Sequence, residues 1–108
     1  MQKVQAQKAI QQLKRQLIDL FGPAIEIYLF GSVARGDFDV SSDIDIMIIF
    51  PEEVNIVLEE KIFDLAYPIE LENNVIFGII VYSKKFWYSS AAAPMPLKIS
   101  IEREGVIV

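Results

Sequence analysis

Phe30-Gly31-Ser32-Val33-Ala34-Arg35-Gly36 and, across a gap of ten residues from Ser32, Asp43-Ile44-Asp45-Ile46-Met47-Ile48-Ile49-Phe50 together decide how this chain is read. The first stretch ends a strand of about Ile25 to Phe30, rich in Ile, Tyr and Leu, on a Gly-Ser pair. Residues 36–42 have the Gly, Asp and Ser content of a loop. Asp43 to Phe50 then alternates acid with Ile before turning continuously apolar, as a central strand does. Side chains two apart on a strand share a face, so Asp43 and Asp45 project together while Ile44 and Ile46 turn towards the core. Two carboxylates within ~7 Å repel one another unless a cation lies between them, given a rise of ~3.3 Å per residue. Oxygen ligands without His or Cys favour Mg2+ or Mn2+ over zinc. A pair of such ions ~3.5–4 Å apart would activate an attacking hydroxyl and stabilise a leaving pyrophosphate. Gly31 and Ser32, opening a short helical turn, offer backbone amides and a hydroxyl to a phosphate, and Arg35 lies one turn along. An Asp-x-Asp pair alone is more often acidic decoration, and Gly-Ser alone more often a turn. In this order and spacing they restrict one another.

The surrounding chain supplies an α/β frame. Val4, Ile10, Leu13, Leu17, Leu20 and Phe21 recur near helical spacing up to Gly22-Pro23, which predicts a helix over about 3–21. Pro51-Glu52-Glu53 suits a helix start, with an apolar stripe from Val54 to Ala66 that runs up to Pro68. Val75 to Tyr82 is a third strand, in which Gly78 marks a bulge or a close approach. A helical turn near 84–88, a helix near 97–104 and a tail complete the chain. The expected architecture is α/β (α+β): a small mixed sheet flanked by helices, in the order α-β-β-α-β-α.

Composition narrows the chemistry further. The 108 residues leave room for one domain, 1–108, with a thin core. With no Cys and no His, a disulfide scaffold, a thiolate zinc site, a Cys nucleophile and a His base are excluded. The longest strongly apolar run, Val75 to Tyr82, is far below the ~20 residues of a membrane span, and the Gln/Lys-rich start does not resemble a secretory leader. A cytoplasmic location without membrane contact is expected. The net charge of −5 is concentrated in residues 22–72, which hold twelve acids against Arg35 and Lys61. That makes nucleic acid a poor partner, and the basic side of the first helix is better read as solvated. Asp37 and Asp39 read as solvated loop acids. Phe86, Trp87 and Tyr88 could stack a base, but packing is the more economical assignment. An apolar share of 53% is high for a lone small domain. Phe77, Phe86 and Trp87 are candidates for an exposed contact surface.

Gly31-Ser32-x-Ala34-Arg35-Gly36, the ten-residue gap and Ser42-Asp43-Ile44-Asp45 resemble the minimal nucleotidyltransferases of the DNA polymerase beta-like superfamily. The order of helices and strands and the tail from Lys98 to Gly105 extend the resemblance over most of the chain. It implies Mg2+ (or Mn2+) held by Asp43 and Asp45, which would be the catalytic pair. It also implies ATP or another NTP held at Gly31, Ser32, Arg35 and Ser42, and transfer of a nucleoside monophosphate to a hydroxyl. An enzyme is therefore the leading expectation. Many such proteins are the antitoxin half of a two-gene module with a helical HEPN-type partner, so that partner, a homo-oligomer, or both are expected. The family's third metal carboxylate falls on the third strand, at the position here held by Ile76. Two alternatives stay open: Glu70 or Glu72 substitutes as a metal ligand, or the site keeps two carboxylates and serves a binding module that neutralises or scaffolds a partner.

Overall fold

The computed structural model describes residues 3–36 and 43–108. Along these run α1 (Lys3–Phe21), β1 (Glu26–Phe30), α2 (Gly31–Arg35), β2 (Ile44–Phe50), α3 (Ile56–Asn73), β3 (Phe77–Ser83), α4 (Lys84–Trp87), α5 (Pro96–Glu104) and β4 (Val106–Ile107). The four strands form one mixed sheet in the order β3-β2-β1-β4. β2 lies parallel to β3 and antiparallel to β1, and β4 adds antiparallel to the outer edge of β1. The expected mixed sheet with flanking helices is therefore the observed one.

β2 is apolar along most of its length because both of its faces are covered. Ile44, Ile46 and Ile48 face α1 and α3, where Leu13, Leu17, Ile62 and Ala66 pack in the main core. Met47 and Ile49 face the other way, against Trp87 and Ile101. All five β2 side chains are fully buried.

Several boundaries differ from the sequence expectation. α3 does not start at Pro51-Glu52-Glu53: Asn55 is its N-cap, its side-chain oxygen accepting the Leu58 amide at 2.9 Å. Nor does it stop at Pro68. A proline in a helix interior removes one backbone hydrogen bond and costs ~3 kcal/mol. The turn beyond it is fixed by tertiary contacts, with Ile69 buried and Asn73 Nδ2 donating to Gln12 Oε1 of α1 at 2.6 Å and to the Ile69 carbonyl at 2.9 Å. Asn74, left-handed at φ 54°, ends the helix. The third strand accordingly begins at Phe77, not Val75.

The proposed contact surface is also placed differently. Phe77 (8% exposed) and Trp87 (2%) are core residues, and Trp87 stacks on Tyr82. Only Phe86 of the three is exposed. The large exposed apolar side chains of α3 are instead Ile56, Val57, Phe63, Tyr67 and Leu71. Among the described residues no helix is long and apolar enough to cross a membrane.

Candidate active site

The register of the sheet sets Asp45 between two strands. It pairs with Phe30 across the antiparallel ladder and with Gly78 across the parallel one. Gly31 follows Phe30 at φ +74°, a region that L-residues other than glycine rarely enter. A Cβ there would overlap Asp45 Oδ2 and sit 3.2 Å from its Cγ, and a Cβ at Gly78 would sit 2.9 Å from Oδ1. The Asp45 carboxylate thus occupies a slot with a glycine on either side. Of the two roles open to Gly78, it serves the close approach.

Gly31 also opens α2. The Phe30 backbone is extended at the N-cap, and Gly36 at φ 78° closes the turn, its amide reaching the Ser32 and Val33 carbonyls. The two glycines of the motif therefore bracket one helical turn, with Ser32 at its start. Arg35, in the last residue of that turn, lies 3.6 Å from Glu104 Oε2 of α5. No spacing in the sequence links positions 35 and 104, so this contact was not foreseeable.

Asp43 is exposed just before β2, and Asp45 is half-buried. Burial raises the Asp45 carboxyl from its ordinary value; the charge of Asp43 raises it further and Arg35 partly offsets both. The pair is an anionic site that a cation would relieve. Two hard oxygen donors fit Mg2+ or Mn2+. Asp43 and Asp45 would hold the ion, and Gly31 and Gly78 leave the Asp45 oxygens room to turn towards it.

The remaining candidates are dispersed. Glu70 lies on α3, its Oε2 accepting the Phe77 amide at 3.4 Å. In this parallel ladder the Ile44 amide donates to the Ile76 carbonyl, so the Phe77 amide points away from β2. Glu70 therefore lines the outer edge of β3. Glu72 is exposed on α3. Among the described residues no group of three or more acids is arranged to hold a metal. Ile76 falls opposite Asp43, one step before the Ile44–Phe77 pair, and is 60% exposed. Ser42, Asp37 and Asp39 lie outside the described residues. A cleft of about 560 Å³ lined by Pro51, Glu52, Glu53, Ser83, Lys85, Phe86 and Ser89 sits at the other end of β2 and β3, away from the carboxylates.

Comparison with known proteins bears on the family and the fold. A sequence model described as a nucleotidyltransferase domain matches residues 10–107. Two proteins of Methanocaldococcus jannaschii, named as candidate protein adenylyltransferases, are similar to the chain. One is 30% identical over 76 residues, covering 69% of this chain and 77% of the relative. The other is 34% identical over 82 residues, covering 75% and 77%. A solved toxin–antitoxin structure with AMP-PNP shares the fold at a TM-score of 0.59 and 20% identity, covering 88% of this chain and 68% of its own. With the motif turn and the Asp-x-Asp strand set side by side in a matching fold, the chain belongs to the nucleotidyltransferase domain family.

Proposed function

We propose that the chain is an Mg2+- or Mn2+-dependent nucleotidyltransferase domain that moves AMP from ATP onto a hydroxyl of a partner protein. It would act in the cytoplasm as the antitoxin-type half of a two-component module with a helical HEPN-type partner. One observation carries the proposal: the Asp45 carboxylate lies in its glycine slot beside Asp43, where the α2 turn begins. The similarity to candidate protein adenylyltransferases supports a protein acceptor.

In this mechanism Gly31 and Ser32 present backbone amides and a hydroxyl to the triphosphate. Arg35, whose charge already reaches Asp45, adds positive potential at the same end of the sheet. Ser42 completes the set by its place in the motif. Asp43 and Asp45 hold the divalent ion, which supplies charge neutralisation at the triphosphate. The acceptor oxygen bonds to the α-phosphorus, the bond from that phosphorus to the α–β bridging oxygen breaks, and pyrophosphate leaves. The acceptor proton passes to solvent. With no histidine in the chain, orientation and electrostatics carry the step.

A second reading has its own support. Ile76 puts an apolar side chain opposite Asp43, where a third carboxylate would complete a two-ion clamp. With two carboxylates the domain would bind nucleotide and associate with its partner without turnover. Calorimetry with Mg-ATP tests the site: Asp43→Asn and Asp45→Asn should each abolish binding while the circular dichroism spectrum is kept. Unchanged affinity in both would sink the assignment. Labelled ATP and the protein encoded next door then separate the readings, since transfer of label supports the enzyme and tight association without label supports the binding module.

A further inference from the structure

α3 is apolar on two opposite sides, and only one of them is used by the fold. Leu58, Ile62, Ala66 and Ile69 face the core. Ile56, Phe63, Tyr67 and Leu71, at spacings of seven, four and four, make a second stripe that is 48–71% exposed. A helix with this pattern is usually covered on both sides. The stripe runs along a helix about 27 Å long, enough to match the patches that mark interaction sites. Its C-terminal end leads through Asn74 to Ile76 and β3, at the end of the sheet that holds Asp43 and Asp45.

Charge identifies the occupant. Five acids, Glu59, Glu60, Asp64, Glu70 and Glu72, share α3 with the single base Lys61. At 100° per residue Glu60 falls within the stripe, Glu59 and Glu70 border it on one side and Asp64 on the other, while Lys61 lies well off it. A two-fold pairing of this face with a second copy would set acids against acids. We infer that the outer face of α3 docks a different protein, one that presents an apolar surface flanked by Lys and Arg. This rests on the partner-directed reading above, and it locates the contact on the helix leading into the carboxylate end of the sheet.

The probe is a labelled synthetic amphipathic helix with a Leu stripe flanked by lysines, followed by fluorescence anisotropy on the intact chain. Its counterpart carries glutamates in place of the lysines. The lysine-flanked helix should bind at least about tenfold tighter, with an affinity that falls as salt is raised. The double variant Glu60→Lys/Asp64→Lys should reverse the preference, and Phe63→Ser/Tyr67→Ser should remove binding of both helices while the thermal midpoint stays unchanged. Equal binding of the two helices would overturn the inference. So would a dimer in sedimentation velocity that Phe63→Ser/Tyr67→Ser dissolves, since a second copy would then be the occupant. Mg-ATP binding, measured on the same variants, reports separately on the nucleotide site, so its failure counts against the proposed function and not against this face.

Discussion

Replacing Gly78 by Ala separates the carboxylate slot from the stability of the sheet. The new Cβ would lie 2.9 Å from Asp45 Oδ1, against roughly 3.4 Å for an ordinary contact, so the carboxylate must retreat by about 0.5 Å. It cannot retreat freely, because its other oxygen already lies against Gly31. The obstacle is the far end of a side chain, and Gly78 has an ordinary backbone conformation, so the fold itself is little taxed. Removing a strand glycine also restores ~0.5–1 kcal/mol of backbone entropy, which leaves the thermal midpoint within a few degrees of the parent. Metal ligation tolerates only about ±0.2 Å, so Mn2+ and Mg-ATP should bind ~10–100-fold more weakly. Gly31→Ala is the contrast: its φ of +74° adds ~1–2 kcal/mol of strain to the overlap, so it should lose both stability and ligand. Thermal denaturation with and without Mn2+, together with calorimetry, reads both quantities. Parental Mn2+ and Mg-ATP affinity in Gly78→Ala would refute the slot as the ligand site.

Further consequences concern charge and packing. The Asp45 carboxyl is raised in the fold, so the native state holds its proton more tightly than the unfolded chain does; Asp45 therefore opposes folding above its folded pKa, and the opposition disappears as pH falls through it. Asp45→Asn should raise the melting temperature in chelator at neutral pH and lose the shift that Mg2+ confers on the parent; a lower melting temperature would contradict the repulsion. Ile76→Asp sets a third carboxylate opposite Asp43 and should tighten Mn2+ binding by about tenfold, measured by calorimetry; no gain would mean that position 76 does not face the ion. Asn73→Ala breaks the link from α3 to Gln12 and should cost about 1–2 kcal/mol in urea unfolding, with Mg-ATP affinity retained.

Much of the site is legible in sequence because its signals are local. Gly31-Ser32 and Asp43-x-Asp45 are read from strand alternation and turn chemistry, and the sheet then brings the two segments together. Ile44 and Ile46 point into the core, as alternation requires. The misread positions are those where a better local cap lies further along the chain or where distant contacts decide. Pro51-Glu52-Glu53 has every local mark of a helix start, yet the Asn55 oxygen caps the helix four residues after Pro51. Pro68 marks a stop, yet Asn73 is tied across to α1 and carries the helix on. Trp87 reads as part of an exposed contact surface until α4 folds it over Met47 and Ile49. β4 spans two residues, too short to leave any periodicity.

That short strand governs how the sheet behaves towards other chains. Val106 and Ile107 pair with Leu29 and Tyr28, and the Val108 amide adds a bond to the Ile27 carbonyl. A strand held by so few bonds lies at the low end of local opening free energies, and amide exchange there should outpace that in β2. Whenever it lifts, β1 becomes a bare edge whose unpaired amides and carbonyls invite strands from neighbouring molecules. The last few described residues thus act as a guard against aggregation, and a chain cut after Gly105 would keep its carboxylates while losing its protection in concentrated solution.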